Sequence, residues 1–351
     1  MKSTELYFER PETLNATMPA EARGLQRDEV RLLVSTASGH THARFEDLPR
    51  FLRPGDLLVV NRSATLPASL PARNASMDFM LNLSTHYGHN LWLTEPRWGS
   101  NRPGPLPLVA GQAVAVGDGL IGHWVAPHPG LPRLWFAQFA EDLAPVMHRL
   151  GAPIRYGYVN ERYGLDAYQT VFATEPGSAE MPSAARPFTL RVLQELQARG
   201  VGLAEITLHT GVSSHEVETT EVEQQTLYAE PFQVPAATAQ AVNDARCAGR
   251  RVIAVGTTVV RALESAWDGR QVRACRGFTR LYIHPGRSVH TVNGIISGLH
   301  DSMASHLAML YAIAGAGLIR SAYEEAVREV YLWHEFGDSH LVIGGRGNYL
   351  A

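Results

Sequence analysis

Lysine is almost missing from this 351-residue chain: Lys2 stands alone, and every other basic residue is arginine or histidine. That excludes a Schiff-base lysine mechanism unless the tail residue supplies it. Cysteine is scarce too. Cys247 and Cys275 lie far apart and outside any CxxC pattern, so neither a zinc site nor a disulfide framework is expected, and no metal is implied. No apolar run approaches the ~20 residues needed to cross a bilayer. The longest apolar helix candidate, near residues 306–319, is interrupted by glycine. The opening MKSTELYFERPETL is polar and acidic, unlike a signal peptide. Together these absences make a cytoplasmic, membrane-free protein the expectation. A dense basic stripe is also lacking and the formal net charge is −3, which weakens the case for a nucleic-acid partner.

What is present suits a soluble globular protein: 45% hydrophobic and 19% charged residues, enough for a large core. RLLVST (31–36) and DLLVVN (56–61) read as strands around the turn RPGD (53–56). Residues 62–150 then change texture. Short alternating segments (SMDFMLNLS, HNLWLTE, QAVAVG, GLIGHWVA, RLWFAQFA) sit between Gly and Pro clusters, the pattern of an antiparallel barrel or sandwich. Beyond 150 the helical period returns. Thr189 is placed to cap a helix with Leu190, Leu193 and Leu196 on one face, and Pro235 opens another that Gly249 closes. RRVIAVG, AEITLHTG and LYIHPG read as strands; SMASHLAMLYAIAG and SAYEEAVREVYLW read as helices. The fold class expected is α/β, with a mixed or largely parallel sheet formed by residues 1–61 and 151–351, and residues 62–150 as an inserted antiparallel β-barrel.

One strand-to-helix turn stands out in RRVIAVGTTVVRALESA (250–266). Open α/β sheets bind ligands at the carboxyl ends of their strands, where helix N-termini offer N–H groups and a positive dipole end. Gly256, Thr257 and Thr258 fit that place. The glycine lets a ligand approach; the hydroxyls either bind a ribose or carboxylate or simply cap the helix. Neither GxGxxG nor a Walker A lysine is present.

GTTVVRALES resembles a signature of the S-adenosylmethionine:tRNA ribosyltransferase-isomerase family, the makers of epoxyqueuosine. Further stretches agree in order. DAYQTVFATEPGSA is similar to that family's D..RYQTVYA..PGA, PSAARPFT to PTAGLHFT, ITLHTGVSS to VTLHVGLGT and LYAEPFQVP to MHSE.Y.VP. GFTRLYIHPG, SGLHDSMAS and FGDSHLVI are similar to G.T.LFI.PG, TNFHLP.ST and YGDAMLI. The resemblance covers nearly the whole chain and implies an α/β fold with an inserted barrel. It also implies S-adenosylmethionine as a substrate whose ribosyl part is transferred and rearranged, with no metal. That chemistry needs a base, contacts to ribose and adenine, and a clamp on methionine.

Several motif positions depart from the family. Its GLHFT histidine is Pro187 here, beside Arg186 and Ala185; the two histidines of H.MHSE are Gln225 and Tyr228; TNFHLP becomes SGLHDS with Gly298 and Ser302. Arginines are lost at Ala64 and Ser69 within NRSATLPASL, at Ala167, and at Leu332 where the family has YRFFSYGD; Arg62 is gained. Fewer cationic contacts weaken a polyanion complex. The expectation is therefore an S-adenosylmethionine-dependent transferase/isomerase acting on a small-molecule acceptor, with tRNA disfavoured. The alternatives are the family reaction on tRNA, a non-catalytic binding protein, and an S-adenosylmethionine lyase.

Candidate residues follow from the matched motifs. Glu230 is a candidate base or ribose partner, or else a solvated loop carboxylate; His209 and His300 are candidates for moving a proton, or else core histidines. Gly256, Thr257, Thr258 and Arg261 form the presumed substrate turn. Arg261 suits a carboxylate, though it could equally pair with Glu264 on a solvated face. Tyr168 and Gln169 could meet the adenine or belong to the core. Asp338 could touch substrate or cap a turn, and His215 with Glu216 are polar newcomers that could alter specificity.

Overall fold

In the computed structural model, which describes residues 1–99, 102–212, 217 and 219–344, the apolar runs become seventeen strands and the 3.6-residue periods become six helices among those residues. In chain order they are β1 (Arg31–Thr36), β2 (Gly39–Arg44), β3 (Leu57–Asn61), β4 (Ser63–Thr65), β5 (Ser69–Arg73), β6 (Asp78–His86), β7 (Leu91–Trp98), β8 (Ala113–Val116), β9 (Leu120–His128), β10 (Leu131–Phe139), α1 (Ala144–Leu150), β11 (Glu175–Ser178) and α2 (Leu190–Ala198). There follow β12 (Gly202–Leu208), β13 (Glu230–Val234), α3 (Ala236–Cys247), β14 (Val252–Val255), α4 (Thr257–Ser265), β15 (Cys275–Thr279), β16 (Gly294–Gly298), α5 (Ser305–Ala314), α6 (Ala316–Arg328) and β17 (Ser339–Ile343).

Nine strands form one mixed sheet in the order β15-β13-β12-β3-β14-β16-β17-β1-β2. Its centre, β12-β3-β14-β16, is parallel. β3 and β14 are buried at every residue, the continuous apolar pattern of strands covered on both faces. One face packs with Val259, Leu263, Leu307 and Leu310; the other packs with Phe45, Phe188, Val192 and Leu196.

Six strands close a separate barrel, β10-β7-β6-β5-β8-β9. Alternation turns Leu81, Leu83, Val114, Val116 and Trp124 inward, where they are essentially sealed from solvent. The α/β class with an antiparallel barrel is thus the observed architecture. The chain leaves for the barrel after β4 and is back beside it at β11, which pairs with β4 in parallel. The Gln169 side chain clamps both backbone groups of Thr65, at 3.0 and 2.8 Å.

Two local expectations need correction. Leu190 is 68% exposed while Val192 and Leu196 carry the buried face of α2; Thr189 does cap this helix, accepting from the Val192 N–H. LYIHPG is not a strand; the preceding segment, β15, is. Two helices occupy the C-terminal apolar stretch, in keeping with its two periodic segments; Gly315, with a φ of 83°, ends α5, and α6 begins at Ala316.

Candidate active site

The carboxyl ends of β12, β14 and β16 converge on a cavity of about 280 Å³, near the lower end for a small-molecule site. Gly256, Thr257, Thr258 and Arg261 line it from the start of α4, Thr210 from the end of β12, and Gly298, His300 and Asp301 from the end of β16. Glu180, His306, His334 and Glu335 complete much of the wall.

Gly256 has a φ of 95°, in the region that disfavours any Cβ, and its N–H donates to the Ile296 carbonyl at 2.8 Å. No side chain caps α4. Thr257 and Thr258 are already inside the helix, so the helix-capping role for the hydroxyls does not apply. Instead Asn61 at the end of β3 donates to Thr258 Oγ1 (3.3 Å) and to the Leu208 carbonyl (2.8 Å), and accepts from the Leu208 N–H (3.1 Å). One buried amide thus fixes the ends of β3 and β12 and the first turn of α4 together.

Arg261 also reaches the cavity, but its guanidinium is engaged. It pairs with Glu230 and donates to the carbonyls of Leu281 (3.0 Å) and Thr279 (3.4 Å). Its partner is not Glu264, which is buried and accepts from the N–H groups of His290 and Thr291. Glu230 is no solvated carboxylate either: it is 3% exposed, and its other oxygen accepts from the Gly211 N–H at 2.7 Å. Both Glu230 oxygens are thus hydrogen-bonded, one to Arg261 and one to the Gly211 N–H.

His300 faces the cavity. Its Nε2 lies 2.6 Å from Ser297 Oγ, and its ring centroid is 4.7 Å from that of His306. Burial, with the nearby histidines adding to it, pushes His300 well below the ordinary imidazole range; burial and then Arg261 push His306 down to about 4. Both rings are neutral at pH 7 and keep a nitrogen able to accept a proton or hydrogen bond. His209 sits one residue short of the cavity wall, its Nδ1 2.7 Å from Ser63 Oγ, which in turn meets Ser178 Oγ at 2.6 Å; burial lowers its affinity for a proton.

The structure does not bring Tyr168, Gln169 or Asp338 to this cavity. Tyr168 packs edge-on to Phe336 with centroids 5.2 Å apart in a small apolar cluster, and Gln169 is the clamp on Thr65 already described. Asp338 accepts from the N–H groups of Arg31 (2.9 Å) and Leu332 (2.7 Å), joining two segments of chain. The polar side-chain groups of Gln169 and Asp338 are consumed by backbone partners. His215 and Glu216 lie outside the described residues.

Sequence reasoning missed Glu180, Asp301, His334 and Glu335. Asp301 takes Arg10 at 2.6 Å and pairs with His334. A signal existed: in YLWHEFGD, His334 and Glu335 stand where the resembled motif YRFFSYGD has Phe and Ser. Among the described residues no set of three or more His, Cys, Asp or Glu side chains is arranged to hold a metal, and no helix is long and apolar enough to cross a membrane.

Residues 3–342 match the family described as "Queuosine biosynthesis protein". The chain belongs to that family. It is 34% identical to the S-adenosylmethionine:tRNA ribosyltransferase-isomerase of Carboxydothermus hydrogenoformans, over 98% of this chain and 100% of the relative. It is 37% identical to the protein of the same name from Rubrobacter xylanophilus, over 98% of both. A crystal structure of the S-adenosylmethionine tRNA ribosyltransferase of Thermotoga maritima shares the fold, with a TM-score of 0.54 at 24% identity, covering 97% of this chain and all of that one. The family is one of transferase-isomerase enzymes, and in this chain the Gly-Thr-Thr turn at the head of α4 lines the cavity.

Proposed function

We propose that the protein is an S-adenosylmethionine-dependent ribosyltransferase-isomerase and that tRNA is its acceptor. The observation carrying this reading is the uncapped N-terminus of α4 at the carboxyl edge of the parallel strands, opening on the cavity with the Thr257 and Thr258 segment. Its N–H groups and dipole suit a ribose or carboxylate oxygen. His300 and His306, neutral and buried, are the cavity's proton acceptors, while Glu230 and Arg261 hold the turn in place. The relatives' names support tRNA. The missing arginines speak less against it than the sequence suggested, because Ala64 and Ser69 are 8% and 9% exposed and offer no open surface to a polyanion.

A small-molecule acceptor is the second reading. It is favoured by the carboxylates Glu180, Asp301 and Glu335 around the cavity, a poor lining for approaching phosphates, and by Pro187, which lines an adjoining cleft where the family's histidine stands.

The test is incubation of the purified protein with S-adenosylmethionine, with and without unmodified-acceptor tRNA, following adenine and methionine by mass spectrometry. Release only with tRNA is expected. Release without tRNA would replace the proposal with a lyase, and binding without release in either tube would favour the small-molecule reading.

A further inference from the structure

β15 is the outermost strand of the large sheet and pairs with β13 alone. Strand alternation puts Arg276, Phe278 and, just past its end, Arg280 on one face. Pairing adds Pro231 and Gln233 of β13 to that face, then Thr207 of β12. Phe188, Val192 and Leu196 cover the same face farther in, over β3 and β14. At this end Arg276, Arg280 and Gln233 are exposed, and Phe278 is 53% exposed. A row of rings continues from Phe278 onto the barrel. Its centroid lies 5.5 Å from that of Tyr87, Tyr87 lies 5.9 Å from Phe136, and Phe136 stacks on His128 at 5.8 Å. These three neighbours are half-buried. The Tyr87 hydroxyl donates to the Ala229 carbonyl at 2.8 Å, which fixes its ring in advance of any ligand.

The charge on this face is positive and unspent. Among the described residues neither Arg276 nor Arg280 has an ion-pair or hydrogen-bond partner. Arg62, which meets Thr207 at 3.0 Å, is by contrast taken by Glu175 at 2.6 Å. Arg280 belongs to the ring row: burial and then Glu230 push the Tyr87 hydroxyl up to about 12, and Arg280 opposes them. Glu205 shares the face, but it lies on β12 two residues farther from the cavity end than Thr207, away from Phe278 and Arg280. The row adjoins the cavity. The Thr279 carbonyl, next in the chain to Phe278, accepts from Arg261 at 3.4 Å, and Arg261 lines the cavity wall.

We propose that this face is a stacking platform for unpaired RNA bases, with Arg276 and Arg280 taking phosphates on either side of the base on Phe278. The inference rests on tRNA being the acceptor, which would bring such bases beside the cavity. An aromatic ring accepts the flat face of any base, and a guanidinium fork matches a phosphate. A duplex keeps its base faces covered, so this combination selects single strands. The two arginines are four residues apart, about 13 Å along an extended strand, with the exposed ring between them.

Fluorescence anisotropy tests this with three probes: a labelled single-stranded RNA of mixed sequence, its duplex with the complementary strand, and heparin as a competitor that has charge but no bases. Wild type is expected to bind the single strand more tightly than the duplex. Phe278→Ala should weaken single-strand binding by about tenfold with the salt dependence unchanged, and Phe278→Trp should restore it. Replacing both Arg276 and Arg280 by Gln should lower the salt slope by about 1.4, the value for two phosphate contacts on a single strand. Melting temperatures within a few degrees of wild type show that each variant folds. Wild-type affinity in Phe278→Ala, or equal affinity for single strand and duplex, overturns the platform, as does failure of wild type to bind RNA. Heparin displacing the RNA equally from wild type and Phe278→Ala, with no loss of affinity in that variant, marks a patch of charge alone and also overturns it. The acceptor reading falls by a different result, adenine release that needs no tRNA; tRNA-dependent release with unaltered RNA binding in both sets of variants keeps that reading and removes the platform.

Discussion

The barrel and the carboxyl edge of the large sheet are both made of strands, yet they treat their interiors in opposite ways. In the barrel, Leu81, Leu83, Val114, Val116 and Trp124 fill the interior with apolar packing, and the leucines and valines offer a ligand no hydrogen bond of their own. At the sheet edge the strands stop, the chain turns, and polar side chains from distant segments meet: Thr257 after β14, His300 and Asp301 after β16, Glu335 before β17. Closure makes stability; an open edge makes chemistry.

Paired substitutions sharpen this contrast most. Glu230→Ala strands the Arg261 guanidinium and the Gly211 N–H in the interior and is expected to cost about 3–5 kcal/mol. Trp124→Ala, in the barrel, is expected to cost a similar ~3–5 kcal/mol through its cavity. Denaturant unfolding measures both. Calorimetry on the folded fraction separates them: Trp124→Ala should keep wild-type affinity for S-adenosylmethionine, and Glu230→Ala should not. A tenfold loss on Trp124→Ala would erase the division of labour.

Acid sensitivity should come next in size, and from the site. His306 has a folded value of about 4, below its unfolded 6.5, so between those pH values the unfolded chain binds the extra proton. Its contribution is present above pH 6.5 and is lost as pH falls toward 4, at up to about 1.4 kcal/mol per pH unit. His300 acts in the same direction. His306→Gln should flatten the stability curve between pH 6.5 and 4; an unchanged slope would show that the edge histidines do not set it.

Gly256→Ala should have the smallest effect. A side chain at φ 95° is strained, and the new Cβ would lie 3.4 Å from Ala184 Cβ. The expected loss is about 1–2 kcal/mol, with weaker S-adenosylmethionine binding. Equal binding would move the donor away from this turn.

What was legible in the sequence divides along the same line. Period and punctuation marked the barrel segments, the Thr189 cap and the strand-turn-helix at Gly256, because those depend on neighbours in the chain. Leu190 was misplaced because one residue at the edge of a helical stripe decides nothing by itself. Tyr168, Gln169 and Asp338 sit in matched motifs, yet motif membership does not distinguish a side chain that meets a ligand from one that ties backbone to backbone. Asp301, His334 and Glu335 were passed over because their loops come together only when β16 and β17 pair in antiparallel register, Gly298 opposite Ser339.

The short ladder between β4 and β11, with Gln169 clasping Thr65, has a consequence for evolution and engineering. More than a hundred residues separate the strands it joins, but the two chain ends meet side by side at one fixed seam. The barrel strands between them are an excursion that starts and finishes at the same address. Its length and surface can be rewritten, or another closed unit grafted at the seam, while the strands carrying the Gly-Thr-Thr turn keep their register.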